Sequence, residues 1–260
     1  MTHVAIPRRT CRVCGSKNLT DIFDLGNQAV SSFITKGNKI MIAPLALVLC
    51  GKCGLVQLKY TAPSQDALYR TYWYKYGVNQ SMQDALADIV TSVKKRVRLN
   101  ANDIIVDIGA NDGTLLTFYP KNVTKIAFEP AKNLIPELKK HADVVINNYF
   151  LASAMPKMYR LAKVITTIAM FYDLEDPNAF VENIASTLAP EGIWVNQMAS
   201  LSSMLELNMF DNICHEHIEH YSLSALEYLL KNESVTGQTI GELALRYATD
   251  LRPFADTRLP

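Results

Sequence analysis

Little in this sequence points to a membrane, a fibre or a polyanion. Its 260 residues hold 26 basic and 25 acidic side chains, a net charge of +1, so there is no broad positive field to hold nucleic acid nonspecifically. The longest apolar run, Ile40 to Leu49, is broken by Pro44 and falls far short of the roughly 20 residues that cross a bilayer. Met1 to Thr10 carries Arg8 and Arg9 with no apolar stretch behind them. No secretory signal is read, and a cytoplasmic chain without nucleic-acid or membrane partners is expected. Eleven glycines and eleven prolines exclude a collagen-like fibre, and five cysteines are too few for a disulfide scaffold. A hydrophobic share of 49% at this length allows one large domain, or a large and a small one, with a sizeable core.

Four of the five cysteines form two pairs, Cys11 and Cys14 in Cys-Arg-Val-Cys-Gly and Cys50 and Cys53 in Cys-Gly-Lys-Cys-Gly. Two residues between thiolates let both reach one metal, and the glycine behind each pair permits the tight turn. Together the pairs supply the four ligands of a closed, structural zinc (Zn2+) site. The alternatives are unconnected buried cysteines or a redox Cys-x-x-Cys. The 35 residues between the pairs exceed a zinc ribbon, so a small subdomain over Leu19 to Leu49 is expected, with Ile22, Phe23, Leu25 and Val30 as its core.

An aromatic cluster follows, Tyr69, Tyr72, Trp73, Tyr74 and Tyr76, for which packing is favoured over recognition. Met82, Leu86, Ile89, Val90, Val93 and Val97 recur at helical spacing, and Lys94, Lys95, Arg96 and Arg98 suit a solvated C-terminal turn. From residue 103 short apolar runs alternate with helical stretches. Strands are read at Ile104 to Ile108, Lys125 to Glu129, Asp143 to Ile146, Val164 to Ala169 and Ile193 to Met198; helices around Leu115, Leu134 to Leu138 and Asn178 to Leu188. This alternation predicts an α/β fold with a parallel, doubly wound, Rossmann-like sheet, whose ligands bind at the carboxyl ends of the strands.

The first of those strands ends in Asp107-Ile-Gly109-Ala-Asn111-Asp112-Gly113, and the second ends in Glu129, twenty residues beyond Gly109. Glycines there permit close backbone approach, and an acid ending the second strand can accept from both hydroxyls of a ribose. The dinucleotide form Gly-x-Gly-x-x-Gly is absent; the spacing is Gly-x-x-x-Gly. A ligand with a cationic sulfonium and an amino-acid tail suits the polar groups of Asp107, Asn111 and Asp112, so S-adenosylmethionine is favoured over NAD as cofactor. A purely structural turn is the remaining alternative. Ala169, ending the fourth strand, is placed with this cofactor site.

Met209 to Ser222 gathers His215, His217 and His220 with Glu216 and Glu219. A histidine beside a carboxylate is the usual general base. The metal-binding His-Glu-x-x-His pattern is missing, and on a helix His215 and His217 would diverge by about 200°; a polar loop is the plainer alternative. Ser224 and Glu227 read as the capping box of a following helix.

Taken together, the paired Cys-x-x-Cys-Gly motifs, Asp-Ile-Gly-x-Asn-Asp-Gly-Thr-Leu-Leu, Glu-Pro-Ala and Phe-Asp-x-Ile-x-His-Glu-His resemble the zinc-containing C-methyltransferases that act on nucleotide-linked deoxysugars. The resemblance covers roughly residues 8 to 231. It implies a class I methyltransferase fold, S-adenosylmethionine as donor, and a histidine that deprotonates the carbon next to a ketone of a small-molecule acceptor, a nucleotide-linked ketosugar. By position, His217 resembles the catalytic base and Glu216 its acidic neighbour. Asp107, Gly109, Gly113 and Glu129 resemble the cofactor grip, and Cys11, Cys14, Cys50 and Cys53 the zinc ligands.

Three departures accompany the resemblance. Cys214 stands where family members often have tyrosine, and Tyr172 or Asp173 where they often have histidine. The third is at the end: family members continue further, and the sequence after Lys231 matches them poorly. Ser234 to Ile240 and Leu243 to Tyr247 are read as candidate closing strands of a truncated or diverged chain. The organisation expected is a zinc-binding domain over 1–62, a methyltransferase domain over 63–232 and a divergent tail over 233–260. Rival functions are a non-catalytic module that binds zinc and cofactor, and an NAD-type oxidoreductase.

Overall fold

The computed structural model describes residues 5–30, 41–61, 65–159 and 161–232. Strands β1 (Ile6–Pro7), β2 (Leu19–Ala29), β3 (Ile42–Cys50), β4 (Val56–Leu58) and β5 (Tyr60–Thr61) come first, then helices α1 (Gln65–Tyr69) and α2 (Gln80–Arg96). Strands β6 (Ile104–Ile108), β7 (Thr124–Phe128), β8 (Val144–Ile146), β9 (Ala162–Ile168) and β10 (Leu188–Gln197) alternate with α3 (Thr114–Thr117), α4 (Ile135–Leu138) and α5 (Pro177–Thr187). The described chain closes with α6 (Leu201–Leu207), β11 (Glu219–His220) and α7 (Leu223–Asn232).

Strands β6 to β10 form the expected parallel sheet, in the order β10-β9-β6-β7-β8. Their β-branched runs suit strands buried on both faces. Alternate residues serve opposite cores: Ile105, Val164 and Val195 pack with Leu86, Val90 and Val93 of α2, while Val106, Ile126 and Ile165 pack with Phe180, Trp194 and Tyr221. The chain goes from β6 outward through β7 and β8, then returns to β9 on the other side of β6. A crevice opens at such a reversal, beyond the carboxyl ends of the strands.

The second sheet is antiparallel, β11-β4-β3-β2. It corrects the expected core of the N-terminal part. Ile22, Phe23 and Leu25 are 47%, 39% and 45% exposed, because β2 is an edge strand paired only with β3 and no element among the described residues covers it. Val30 alone of the four is buried, beside Ala43. The core lies instead beneath the paired cysteines, where Cys11, Cys50, Cys53 and Leu55 join the cluster that contains Trp194 and Tyr221. Helix α7 starts earlier than its sequence suggests. Ser222, not Ser224, caps it, its hydroxyl accepting from the Ala225 amide at 3.2 Å, because Leu223 is already helical. The candidate strands at Ser234 to Ile240 and Leu243 to Tyr247 lie outside the described residues. No helix among the described residues is long and apolar enough to cross a membrane.

The Phe171 ring is fully buried, with Phe180, Trp194 and Tyr221 ring centres at 5.8, 5.4 and 5.4 Å. Phe171→Ala is expected to cost about 3–5 kcal/mol, and Phe210→Ala, at a 70% exposed position, less than about 0.5 kcal/mol. Urea unfolding midpoints compare the two; equal losses would contradict this placement of the core.

Candidate active site

A cavity of about 550 Å³ occupies the crevice. Its floor is the turn after β6. Gly109 has φ +69°, which glycine adopts freely, and a Cβ there would meet the Met170 side chain at 3.2 Å. Glu129, just past β7, is buried and lines the cavity. Its two carboxylate oxygens accept from the backbone amides of Asn111 and Ala131, both at 2.7 Å. Each oxygen keeps a further lone pair for a ligand hydroxyl.

Asn111 lines the same floor, but its side chain also performs a task the sequence concealed. Its Oδ1 accepts from the Tyr76 amide at 3.1 Å and its Nδ2 donates to the Tyr74 carbonyl at 3.0 Å. Asp112 accepts from the Gly77 amide at 2.8 Å. The glycine loop thereby ties down the aromatic segment, and Tyr69, Tyr72, Tyr74 and Tyr76 line the cavity. The rings pack on one another along the cluster, and Tyr76 is buried in the core, as packing predicts; four of the five also line the ligand space. The run of rings was visible in the sequence, but the loop that aims them was not.

Ala169 also lines the cavity, at φ +51°. Asp107, Asp112 and Gly113 are not among the lining residues. Asp107 is buried in the sheet, accepting from the Thr166 hydroxyl at 2.6 Å, so it supports the floor from below rather than offering its carboxylate to a sulfonium. Gly113 caps α3 at φ +84° against Leu138 and His141.

Of the three clustered histidines, only His217 lines the cavity. His215 is buried with Nε2 3.2 Å from the Ala43 carbonyl, and His220 is buried within β11, where desolvation lowers its pKa to about 4 and keeps it neutral. The His217 Nδ1 lies 2.9 Å from the Asn212 carbonyl oxygen. A carbonyl only accepts, so Nδ1 carries the proton of the neutral ring and Nε2 holds the basic lone pair. The ring packs edge-on against Tyr172, centre to centre 4.4 Å. Glu216 is absent from the lining; its backbone carbonyl accepts from the Tyr69 hydroxyl at 3.2 Å. Asp173, which the sequence reading did not select as a site residue, does line the cavity. Burial pushes its carboxyl well above the usual range, while the nearby His217 pulls the other way.

The sulfur atoms of Cys11, Cys14, Cys50 and Cys53 all lie within 4.8 Å of one another, with Cys11 to Cys53 and Cys14 to Cys50 at 3.5 Å. Sulfurs bonded to one tetrahedral zinc at about 2.3 Å stand just under 4 Å apart. The donor set and its spacing therefore fit zinc, with all four positions supplied by the chain.

Residues 11–69 match a family described as a zinc binding domain, and residues 78–233 match a family described as a methyltransferase domain. The chain is 24% identical over 244 residues to the C-methyltransferase NovU of Streptomyces niveus, a match that covers 90% of this chain and 58% of that protein. Among solved structures, the plantazolicin methyltransferase BpumL in complex with SAH aligns with a TM-score of 0.49 and 18% identity over 63% of this chain and 68% of its own. A methyltransferase bound to the Haloferax volcanii Trm112 activator aligns at 0.49 with 15% identity, over 60% and 71%.

Burial pushes both Asp107 and Glu129 up to about 7, whereas in an unfolded chain such carboxyls ionise near pH 4. Between those values the unfolded state releases protons that the fold retains, so stability falls as pH rises towards 7 and levels off above it. Asp107→Asn removes one of the two groups. Its urea midpoint is expected to fall less than that of the unaltered chain between about pH 5.5 and 8; an equal or larger fall would contradict the assignment.

Proposed function

This chain belongs to the methyltransferase-domain family, and we propose that it is an S-adenosylmethionine-dependent enzyme that methylates the carbon next to a ketone in a small-molecule acceptor. The observation that carries the reading is the pairing, in one cavity, of a buried carboxylate suited to a ribose, Glu129, with a histidine of fixed tautomer, His217. The fit for the cofactor rests on that carboxylate and on the Cβ-free approach at Gly109. When bound, S-adenosylmethionine supplies an electrophilic methyl group on a sulfonium.

The chain's own residues account for the rest. Gly109, Asn111, Glu129 and Ala169 hold the cofactor, with Asp107 and Gly113 shaping the turn beneath it. His217 takes the proton from the acceptor's α-carbon at Nε2, and the electron pair of that C–H bond moves towards the ketone oxygen as an enolate forms. The Asn212 carbonyl, hydrogen-bonded to Nδ1, favours the imidazolium so created. Glu216 is adjacent in sequence and adds negative charge near it. The ring of Tyr172 and the tyrosines of the aromatic segment narrow the cavity and exclude water from the reacting carbon. Gly109, Asn111, Glu129 and Ala169 would hold the donor beside that carbon, so that its methyl group could pass to the enolate carbon as the S–CH3 bond breaks and its electron pair stays on the sulfur of S-adenosylhomocysteine.

Zinc at Cys11, Cys14, Cys50 and Cys53 is structural in this reading, since four protein ligands leave no open position for chemistry. Four free thiols so arranged suit the reducing cytoplasm. We place the division between a zinc-binding unit and the methyltransferase unit at residue 62; the two separate family matches, over 11–69 and 78–233, support two units, with the join a little later than that residue. A nucleotide-linked ketosugar is the proposed acceptor; a relative named for C-methyl transfer supports the carbon as target.

In D2O with S-adenosylhomocysteine bound, the chain is expected to wash deuterium into the α-position of a nucleotide-linked ketosugar, followed by NMR. His217→Asn should slow that exchange by about 10²- to 10⁴-fold without changing S-adenosylhomocysteine affinity. Undiminished exchange in the variant would remove His217 as the base.

A further inference from the structure

One wall of the cavity is a continuous stretch, Tyr172 to Asp176, followed by Ala179 and Phe180 of α5. Its polar anchors come from the first zinc knuckle and the strands beside it. The Glu175 carboxylate accepts from Arg8 at 2.7 Å, from Arg12 at 3.3 Å and from the Thr61 hydroxyl at 3.1 Å. The Asn178 side-chain amide donates to the backbone carbonyls of Arg12 and Val13 at 3.0 and 3.1 Å. Arg12 and Val13 are the two residues between Cys11 and Cys14. The cofactor floor is anchored differently: Glu129 and Asn111 bond to Ala131, Tyr74 and Tyr76 and to each other, and among the described residues neither takes a hydrogen bond from the knuckle.

We propose that Arg12 and Asn178 are positioning residues, through which the metal-held Cys11 to Cys14 turn fixes the wall carrying Tyr172 and Asp173 while leaving the cofactor floor independent. Calling this wall the acceptor side rests on the function proposed above. The reasoning is geometric. Two carbonyls can receive the Asn178 amide only if the turn that presents them keeps its shape. A four-residue turn with a thiolate at each end takes its shape from the shared metal. The Arg12 side chain is fully buried, and its two terminal nitrogens donate to the Leu58 carbonyl at 2.9 Å and the Thr61 hydroxyl at 2.9 Å. It cannot swing to follow a displaced Glu175 without losing them. Loosening of the turn is thus passed to residues 171–178, and from there to the face of the cavity opposite Glu129.

Amide hydrogen exchange read by mass spectrometry tests this on the full chain, compared zinc-loaded, stripped by a chelator, and as zinc-loaded Asn178→Ala. Stripping should speed exchange over 171–178 by about tenfold and change 107–113 and 126–131 less than about twofold. Asn178→Ala should reproduce the change at 171–178 with its zinc content intact, and added zinc should restore the stripped chain but not the variant. Glu175→Gln, which keeps the side chain's shape and helix-forming surroundings, provides a second disturbance if Asn178→Ala does not fold. Equal acceleration at 107–113, an unmoved wall after stripping, or a purified chain that takes up no zinc would each overturn the proposal. Failure to bind S-adenosylhomocysteine would overturn the proposed function and not this coupling, which exchange reads without ligand.

Discussion

Removing the Arg12 guanidinium from water costs several kcal/mol of hydration, and the chain offsets that cost with an acceptor for each part of the fork: Glu175 at Nε, the Leu58 carbonyl at one terminal nitrogen, Thr61 at the other. Its backbone amide is also held, by the Gln57 side chain at 2.9 Å. Behind it lies Glu219, fully buried, whose carboxyl burial pushes far above the usual range while Arg12 pulls it back. These contacts fix the distance between the paired cysteines, β4, β11 and the start of α5. The aromatic core around Trp194 and the far wall of the cavity can then form only in one relation to the knuckle.

Opposite this charged join stands the floor after β6 and β7, where the constraint is of another kind. There the chain exposes backbone amides at a turn and closes them on a single carboxylate, Glu129. The reversal of strand order opens the crevice, the glycine at 109 keeps it open, and the Asn111 and Asp112 side chains fold the tyrosine segment across it. The turn after β6 and the stretch after β9 line one cavity, and His217 joins that lining with its ring against Tyr172. That histidine reaches the cavity from the loop before β11, and β11 itself pairs with β4 of the cysteine-bearing sheet.

Local periodicity made the parallel strands and α2 legible, because burial on both faces forces continuous apolar runs and burial on one face forces helical spacing. The knuckles were legible for a similar reason, their chemistry being set by a fixed short spacing. What escaped was decided by partners distant in sequence. Ile22, Phe23 and Leu25 looked like a core, but β2 is an edge strand and hydrophobicity alone does not say what will cover it. Asp107 looked like a ligand group, but its position inside β6 points it to Thr166, 59 residues away. His215, His217 and His220 were indistinguishable as a string; only the approach of Ala43 to the first and Asn212 to the second, and the pairing of the third with β4, separate two buried rings from one on the cavity wall. The family resemblance selected His217, whereas the residues alone selected only the cluster.

The most direct test of the account is calorimetric titration of the zinc-loaded chain with S-adenosylhomocysteine, with NADH and the Glu129→Gln variant alongside. The account predicts saturable binding of S-adenosylhomocysteine, none of NADH, and an affinity lowered by about 10-fold or more in Glu129→Gln, as expected when a charged acceptor of two hydroxyl hydrogen bonds is lost. Binding of NADH instead, or S-adenosylhomocysteine affinity indifferent to Glu129, would contradict it.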